Sequence, residues 1–328
     1  MENTRTKTTR NSLILLLTAA IWGMAFVSQS KGMDYMHPFT FNGVRSLIGA
    51  ASILVYILIS RKIAGDKAAP LDWKLNVKAG LLCGIFLTIA STLQQFGIKY
   101  TSVGKAGFIT TLYIIFVPMF GIFLKKKVAP VVWAAAVMAA VGMYLLCMTE
   151  SLRLGAGDIM VFLCAIAFAI QIMTVDHYAA RIDGAVVSCI QFTVCGVVCC
   201  IGALIWGQPT FGQLQEGLGA LLYAGVLSCG VGYTLQIVGQ KGLNPTVAAL
   251  IMSLESVIAT ISGWIAYKIG FLTTDQTLTA RQIAGCVIVF AAVILVQLPP
   301  EWFRFGKKNA SITVSYTHLR AHETEADL

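Results

Sequence analysis

Apolar blocks of about twenty residues alternate with short polar breaks along nearly the whole chain. A block that long crosses a ~30 Å hydrocarbon core only as a helix, because lipid offers no partner to backbone N–H and C=O groups. Reading blocks against breaks predicts ten transmembrane helices, over about 12–30, 38–60, 75–97, 102–124, 128–148, 156–175, 184–206, 216–239, 245–267 and 280–298. The expected fold class is an all-α membrane protein. No soluble domain fits between the blocks, since the longest break, Arg61 to Lys74, is only a short loop with Gly, Pro and charges. The first block lacks a clear small-residue cleavage site and leads into further spans, so it reads as a helix rather than a signal peptide.

Composition sharpens this picture. The 328 residues are 57% hydrophobic and 12% charged, against about a quarter charged in soluble domains. Lysines and arginines collect in the N-terminal tail (Arg5, Lys7, Arg10), the second break (Arg61, Lys62, Lys67, Lys74, Lys78), the fourth (Lys125 to Lys127) and after the last block (Arg304, Lys307, Lys308). With ten spans these share one side, and the positive-inside rule makes that side cytoplasmic, in a cell membrane, with both termini there. The net charge of +9 is therefore a topology signal and not a nucleic-acid footprint. Nine cysteines lie almost all inside apolar blocks, none as C-x-x-C and none near a histidine at zinc spacing. They read as small hydrophobes, with neither metal nor cofactor expected. Residues 1–11 and 299–328 read as tails. The last fourteen, SYTHLRAHETEADL (315–328), read as a translated sequencing-adapter scar and carry no fold argument.

The chain repeats itself. LQQFGIKYTSVGKAGFITTLYIIFV from Leu93 lies without a gap on LQIVGQKGLNPTVAALIMSLESVIA from Leu235, an offset of 142 residues. Leu93 meets Leu235, Gln94 meets Gln236, Gly97 meets Gly239 and Lys99 meets Lys241. Ala106 meets Ala248, Gly121 meets Gly263 and Lys126 meets Lys268. Two halves follow, 12–148 and 156–298, each of five spans. An odd number turns the second copy over, and inverted repeats of this kind are a hallmark of secondary transporters, with the substrate bound between them near the midplane.

Several stretches resemble the ten-helix EamA-type proteins of the drug/metabolite transporter superfamily. AAIWGMAFV (Ala19–Val27) is similar to that family's first-helix W-G signature. PFTFNGVRSLIGA (Pro38–Ala50) is like its second helix with one embedded arginine, TSVGKAGFITTLYIIFVP (Thr101–Pro118) its fourth, and LIMSLES (Leu250–Ser256) its ninth-helix L-E-P pattern. Ser256 stands where the proline is usual, and Lys125 to Lys127 where many members end the fourth helix on a glutamate. The resemblance implies a small-molecule substrate such as an amino acid, another metabolite or a drug, moved without ATP and often outward. It implies a cavity lined by helices one, three, four, six, eight and nine. The fifth and tenth helices would be peripheral or form a homodimer.

Glu255 lies about ten residues into its helix, roughly 15 Å deep. An acid at that depth costs about 2.5–3.5 kcal/mol on insertion scales, so it must face protein or water. Proton coupling or capture of a substrate amine is one reading; an interhelical hydrogen bond or gate is the more favoured one. Ala249, Ser253, Ser256, Thr260 and Gly263 form a small-residue stripe on the same helix that suits close packing and can also wall a cavity. Thr88, Ser91, Thr92, Gln95 and Lys99 form a polar stripe on the third helix. Gln94 and Gln236 occupy equal places in the two halves, with Tyr233 one turn before the second. Trp22 and Phe26, one turn apart in mid-helix, are core packing or a stacking wall. Tyr113, the repeat mate of Glu255, needs a partner for its hydroxyl, and Thr110 is close by. Arg45 can meet a substrate carboxylate or gate, with snorkelling or pairing with an acid explaining it equally well, and Gln171 is deep in the sixth helix. The expected cavity is thus Trp22, Phe26, Gln94, Gln95, Thr110, Tyr113, Gln171, Tyr233, Gln236 and Ser253, with Glu255 and Arg45 in gating or coupling roles. An intramembrane enzyme is the first rival, but neither G-x-S-x-G nor H-E-x-x-H occurs. A channel is the second; GVGYT (Gly230–Thr234) looks like a potassium filter but lies inside an expected full-length helix.

Overall fold

The computed structural model describes residues 2–65, 70–124, 128, 130–147, 155–273 and 277–297. Lys67, Lys125 to Lys127, Arg153 and the tail 299–328 with its segment 315–328 lie outside the described residues, as do the side chains of Arg5, Lys7 and Cys147. The chain divides into Met1–Val296 and Gln297–Leu328, and only the first unit is described below.

All regular structure among the described residues is helical. The order is α1 (Glu2–Gly32), α2 (Pro38–Ala64), α3 (Trp73–Tyr100), α4 (Val103–Thr111), α5 (Tyr113–Phe123), α6 (Pro130–Cys147) and α7 (Ala156–Tyr178). There follow α8 (Gly184–Gly202), a π segment (Ala203–Gly207), α9 (Phe211–Glu216), α10 (Leu218–Leu222) and a longer π segment (Tyr223–Gly232). The chain ends in α11 (Tyr233–Gln240), α12 (Pro245–Met252), α13 (Leu254–Lys268) and α14 (Ala280–Gln297). Eight helices are long and apolar enough to cross a membrane: Thr8–Gly32, Pro38–Ala64, Trp73–Tyr100, Val103–Phe123, Ala156–Tyr178, Gly184–Gly207, Leu218–Gln240 and Pro245–Lys268. Where the sequence predicts the fifth and tenth crossings, α6 and α14 are shorter apolar helices. Two details differ from the sequence reading. Helix α1 begins at Glu2, inside the expected tail, and the eighth apolar block is preceded by α9, which Thr210 and Gln213 cap reciprocally.

Helices from the two ends of the chain interleave. Helix α3 packs on α7 and α8, while the π segment Tyr223–Gly232 and α11 pack on α1; α4 and α5 pack on α7, while α13 packs on α1. Close approach is bought with glycine. A Cβ on Gly97 would lie 2.3 Å from Val161 Cγ2 and 2.8 Å from the carbonyl oxygen of Gly157, so α3 and α7 touch backbone to backbone. The resulting core runs through α1, α3, α4, α5, α7, α12 and α13.

Two outcomes follow. Gly97→Leu should lower the melting temperature in detergent by the equivalent of at least the ~1–3 kcal/mol of ordinary overpacking. Gly104→Ala, whose new Cβ would meet only Thr260 Oγ1 at 3.5 Å, should be nearly neutral. His37 caps α2 by accepting the Phe39 N–H on Nδ1 at 3.3 Å, and burial together with the charge of Lys99 lowers its pKa below the usual 6.5. Because the fold favours the neutral ring, this contribution is complete above the ordinary pKa and lost as pH falls through the lowered one. Melting temperature should drop on acidification below about pH 6.5, and a His37→Asn cap should flatten that slope.

Candidate functional site

The site begins with two interruptions in helical hydrogen bonding. Helix α4 gives way to α5 at Leu112, and α12 to α13 at Ser253, each after a single residue with ψ near zero. In a bundle that must satisfy its own backbone, such breaks need local donors. Thr111 Oγ1 donates to the Phe108 carbonyl at 2.9 Å, Ser253 Oγ to that of Leu250 at 2.7 Å, and Ser256 Oγ to that of Ser253 at 2.8 Å. Hydroxyls bonding back three residues bend helices in this way. Each break presents its next turn to the same central space: Tyr113 from one side, Glu255 from the other. Tyr113 OH donates to Glu255 Oε1 at 3.0 Å, across 142 positions of sequence, with both side chains buried.

Around this contact lies a cavity of about 40 Å³ walled by α1, α2, α3, α4, α5, α7, α8, the long π segment, α11 and α13. That is room for roughly three waters. One wall is aromatic. Trp22 and Tyr233 sit with ring centroids 4.6 Å apart, and Phe192 meets Tyr233 edge-on at 4.9 Å. The indole of Trp22 donates at 3.4 Å to the Ser228 carbonyl, which also takes the Tyr233 N–H at the end of the π segment. A second wall is amide: Gln94 Nε2 donates to Thr110 Oγ1 at 3.2 Å, Gln236 Nε2 to Gln171 Oε1 at 3.2 Å, and Gln171 Nε2 to Gln191 Oε1 at 3.5 Å. Arg45 forms the third. Its Nε donates to Asn42 Oδ1 at 2.8 Å and its guanidinium sits over the Phe41 ring at 5.4 Å; among the described residues no carboxylate lies within salt-bridge distance of it. The side-chain oxygens of Gln29 and Gln236 are buried and take no hydrogen bond from the described residues.

Of the twelve residues singled out from sequence, the lining contains Trp22, Phe26, Arg45, Gln94, Thr110, Tyr113, Gln171, Tyr233, Gln236 and Glu255. Gln95 and Ser253 lie outside it. Gln95 is turned to the α1 backbone, donating to the Gln29 carbonyl at 3.2 Å, and Ser253 is spent on its own helix break. Sequence reading passed over Gln29, Phe168 and Cys229 and took Ser91 only as part of a polar stripe; all four also line the space. The repeat offset held the signal: shifted by 142, Gln29 falls on Gln171, Phe26 on Phe168, Leu87 on Cys229 and Ser91 on Tyr233.

Towards the end of the bundle where α4 and α7 begin, the two halves are tied by charge. Asp158, buried, takes the ammonium of Lys105, the Thr101 hydroxyl at 2.9 Å and the Gly155 N–H at 2.9 Å. Phe39 stacks on Trp206 at 5.6 Å and meets Phe96 edge-on at 5.1 Å at the same end. The repeat mates of Asp158, Lys105 and Thr101 are Leu16, Val247 and Leu243, so the offset of 142 does not repeat these polar residues in the other half.

The sequence profile described as the EamA-like transporter family matches this chain twice, over residues 10–148 and 155–298. An uncharacterized transporter of Archaeoglobus fulgidus is 27% identical over 290 residues, covering 87% of this chain and 84% of its own. An uncharacterized transporter of Bacillus subtilis (strain 168) is 24% identical over 294 residues, covering 88% and 94%. A solved crystal structure at 16% identity superposes with a TM-score of 0.70 over 90% of this chain and 99% of that one, a likeness of fold alone.

Asp158→Ala would leave the Lys105 ammonium, the Thr101 hydroxyl and the Gly155 N–H without their acceptor. Breaking a buried pair costs about 3–5 kcal/mol, and Lys105, with 20% of its side chain exposed, can recover part in water. A loss of about 2 kcal/mol or more is expected in detergent unfolding. The double change Asp158→Leu with Lys105→Met should recover the part due to the unpaired ammonium, leaving the Thr101 and Gly155 donors without their acceptor.

Proposed function

The chain belongs to the EamA-like transporter family of the drug/metabolite transporter superfamily, and from that premise we propose that it is a secondary transporter that exports a small amino-acid-like solute by alternating access. The observation that carries the reading is the central cavity. Among the described residues, a cation without an acid within salt-bridge distance, Arg45, and an acid held by a neutral phenol, Glu255, share one aromatic-walled space. A zwitterion supplies what both lack: a carboxylate for the guanidinium and an ammonium for Glu255. The amide oxygens of Gln29 and Gln236 offer further acceptors to the ammonium.

In this reading the ten apolar helices form two inverted halves, and transport is their rocking about the Tyr113–Glu255 contact. The double profile match and the offset of 142 support two copies. Reciprocal packing, α4 and α5 on α7 against α13 on α1, supports a two-fold relation between them, and an odd number of spans in each would invert one against the other. With the lysine- and arginine-rich end cytoplasmic, the Asp158–Lys105 lock closes the outer side, and Glu255 serves as gate or coupling acid.

Counterflow in proteoliposomes tests this. Radiolabelled neutral amino acids should exchange saturably, which a channel would not do. Arg45→Gln should reduce exchange about tenfold to a hundredfold, as losing a hydrogen bond to a charged group costs roughly 1.5–3 kcal/mol. Arg45→Lys should retain part of the activity, and Glu255→Gln should abolish concentrative transport or leave only exchange. Saturable exchange of amines or organic acids with amino acids inert would overturn the zwitterion; conduction without saturation would overturn the carrier.

A further inference from the structure

A second and wider space, about 640 Å³, lies at the end of the bundle where α2 and α11 finish, α3 begins and residues 180–185 join α7 to α8. It arises from the shape of α2. That helix buries side chains from Pro38 to Ile53 and none from Leu54 to Ala64. Tyr56, Ile57, Ser60 and Ala64 therefore face a gap whose opposite wall includes Thr234 and Val238 of α11.

The gap is amphipathic. Its polar mouth carries three bases from three separate segments, Arg61, Arg181 and Lys241, and two acids, Asp72 and Asp183. Both acids are committed as helix caps: Asp72 Oδ1 takes the Leu75 N–H at 2.9 Å, and Asp183 Oδ1 those of Ala185 and Val186 at 2.9 and 3.2 Å. Each carboxylate is thus offset by the positive end of the helix it caps, α3 or α8, so that among the described residues Arg181 and Lys241 give the mouth its positive character. The frame is fixed. Buried Asn76 donates to the Asp72 carbonyl at 2.8 Å and accepts the Asp183 N–H at 2.9 Å. Lys241 donates to the Ile182 carbonyl at 3.2 Å while its own carbonyl takes Asn11 Nδ2 at 2.7 Å.

We propose that this cleft binds an anionic phospholipid, its phosphate between Arg181 and Lys241 and an acyl chain lying along the last turns of α2. From Lys241 to Thr234 the apolar part rises seven residues, about 10 Å. The volume falls within the ~300–1,000 Å³ of ligand sites. A soluble anion would satisfy the mouth and leave the Tyr56–Ile57 and Val238 walls against nothing apolar. A zwitterionic lipid would fill the walls but bring no net charge to the bases. The cleft is one-sided, for at the opposite end Phe39, Phe96 and Trp206 fill the space between α2, α3 and the turn ending at Gly207. Lipid binding here is independent of which solute is carried and is measured without transport.

The full chain, purified in mild detergent, is titrated with phosphatidylglycerol, phosphatidylcholine or soluble glycerol phosphate, reading bound lipid by native mass spectrometry and stability by melting. Phosphatidylglycerol should be retained and should raise the melting temperature, while phosphatidylcholine and glycerol phosphate should do neither. Arg181→Gln with Lys241→Gln should weaken phosphatidylglycerol binding roughly tenfold or more, given the worth of each base near an anionic headgroup. Arg181→Lys alone should stay within about threefold, because the charge remains. Equal retention of phosphatidylcholine, an unchanged double variant, or stabilisation by glycerol phosphate alone would each overturn the proposal. Should the double variant not fold, a photoactivatable phosphatidylglycerol on the unaltered protein decides: cross-links must map to residues 56–64 and 234–241, and their absence there overturns it.

Discussion

A carboxyl group enclosed by helices needs a partner inside the protein, and the centre of this molecule is arranged around supplying one. Glu255 has the Tyr113 hydroxyl at 3.0 Å, and that hydroxyl comes from the other half of the chain. To bring the two together, α4/α5 and α12/α13 each give up a regular helical step, at Leu112 and Ser253, almost the same place in the repeat. The breaks are tolerable because Thr111, Ser253 and Ser256 return hydroxyls to the carbonyls of Phe108, Leu250 and Ser253 around them. Electrostatic need, helix interruption and small polar residues are therefore one feature seen at three scales.

The same economy governs the other side of the cavity. A Cβ on Gly49 would lie 2.6 Å from that of Cys229, so α2 can lie against the π segment only because glycine is there. The wide turns of that segment give the Ser228 carbonyl to the Tyr233 N–H, the Trp22 indole donates to the same oxygen, and the indole in turn is placed against the Tyr233 ring. A backbone irregularity thus fixes the aromatic wall, in keeping with the concentration of π turns at functional sites.

Much of this was legible in the sequence, for physical reasons that also explain the gaps. Apolar blocks are long because the membrane is thick, so the eight long helices were readable from length alone, and the offset of 142 carried the duplication. Glu255, Arg45 and Gln171 stood out because polar groups are rare at depth. Phe168 and Cys229 did not, since an apolar residue facing a cavity is indistinguishable from one facing a core until its repeat mate is consulted. Gln95 and Ser253 misled in the opposite way: their polarity serves backbone atoms of Gln29 and Leu250, and a one-residue rotation between Gln94 and Gln95 decides which amide meets the cavity. The π turns had no signal beyond clustered glycines at 225, 230 and 232.

The cavity is too small for the solute that its chemistry suits. Forty cubic ångströms holds water and not an amino acid, so the walls must separate before anything of that size can bind. What holds them together is modest: a tyrosine–glutamate bond, three amide bonds of 3.2–3.5 Å and aromatic contacts. What resists closure is also present, in buried amide oxygens on Gln29 and Gln236 that the described residues leave without a donor, each a penalty of about 1–3 kcal/mol when dry. Under the alternating-access reading proposed above, these opposing terms are of similar size, and a solute that supplies the missing donors would tip the balance towards an open form by its differential affinity alone. The polar atoms that look unfinished in the closed form are thus the ones that make it easy to open.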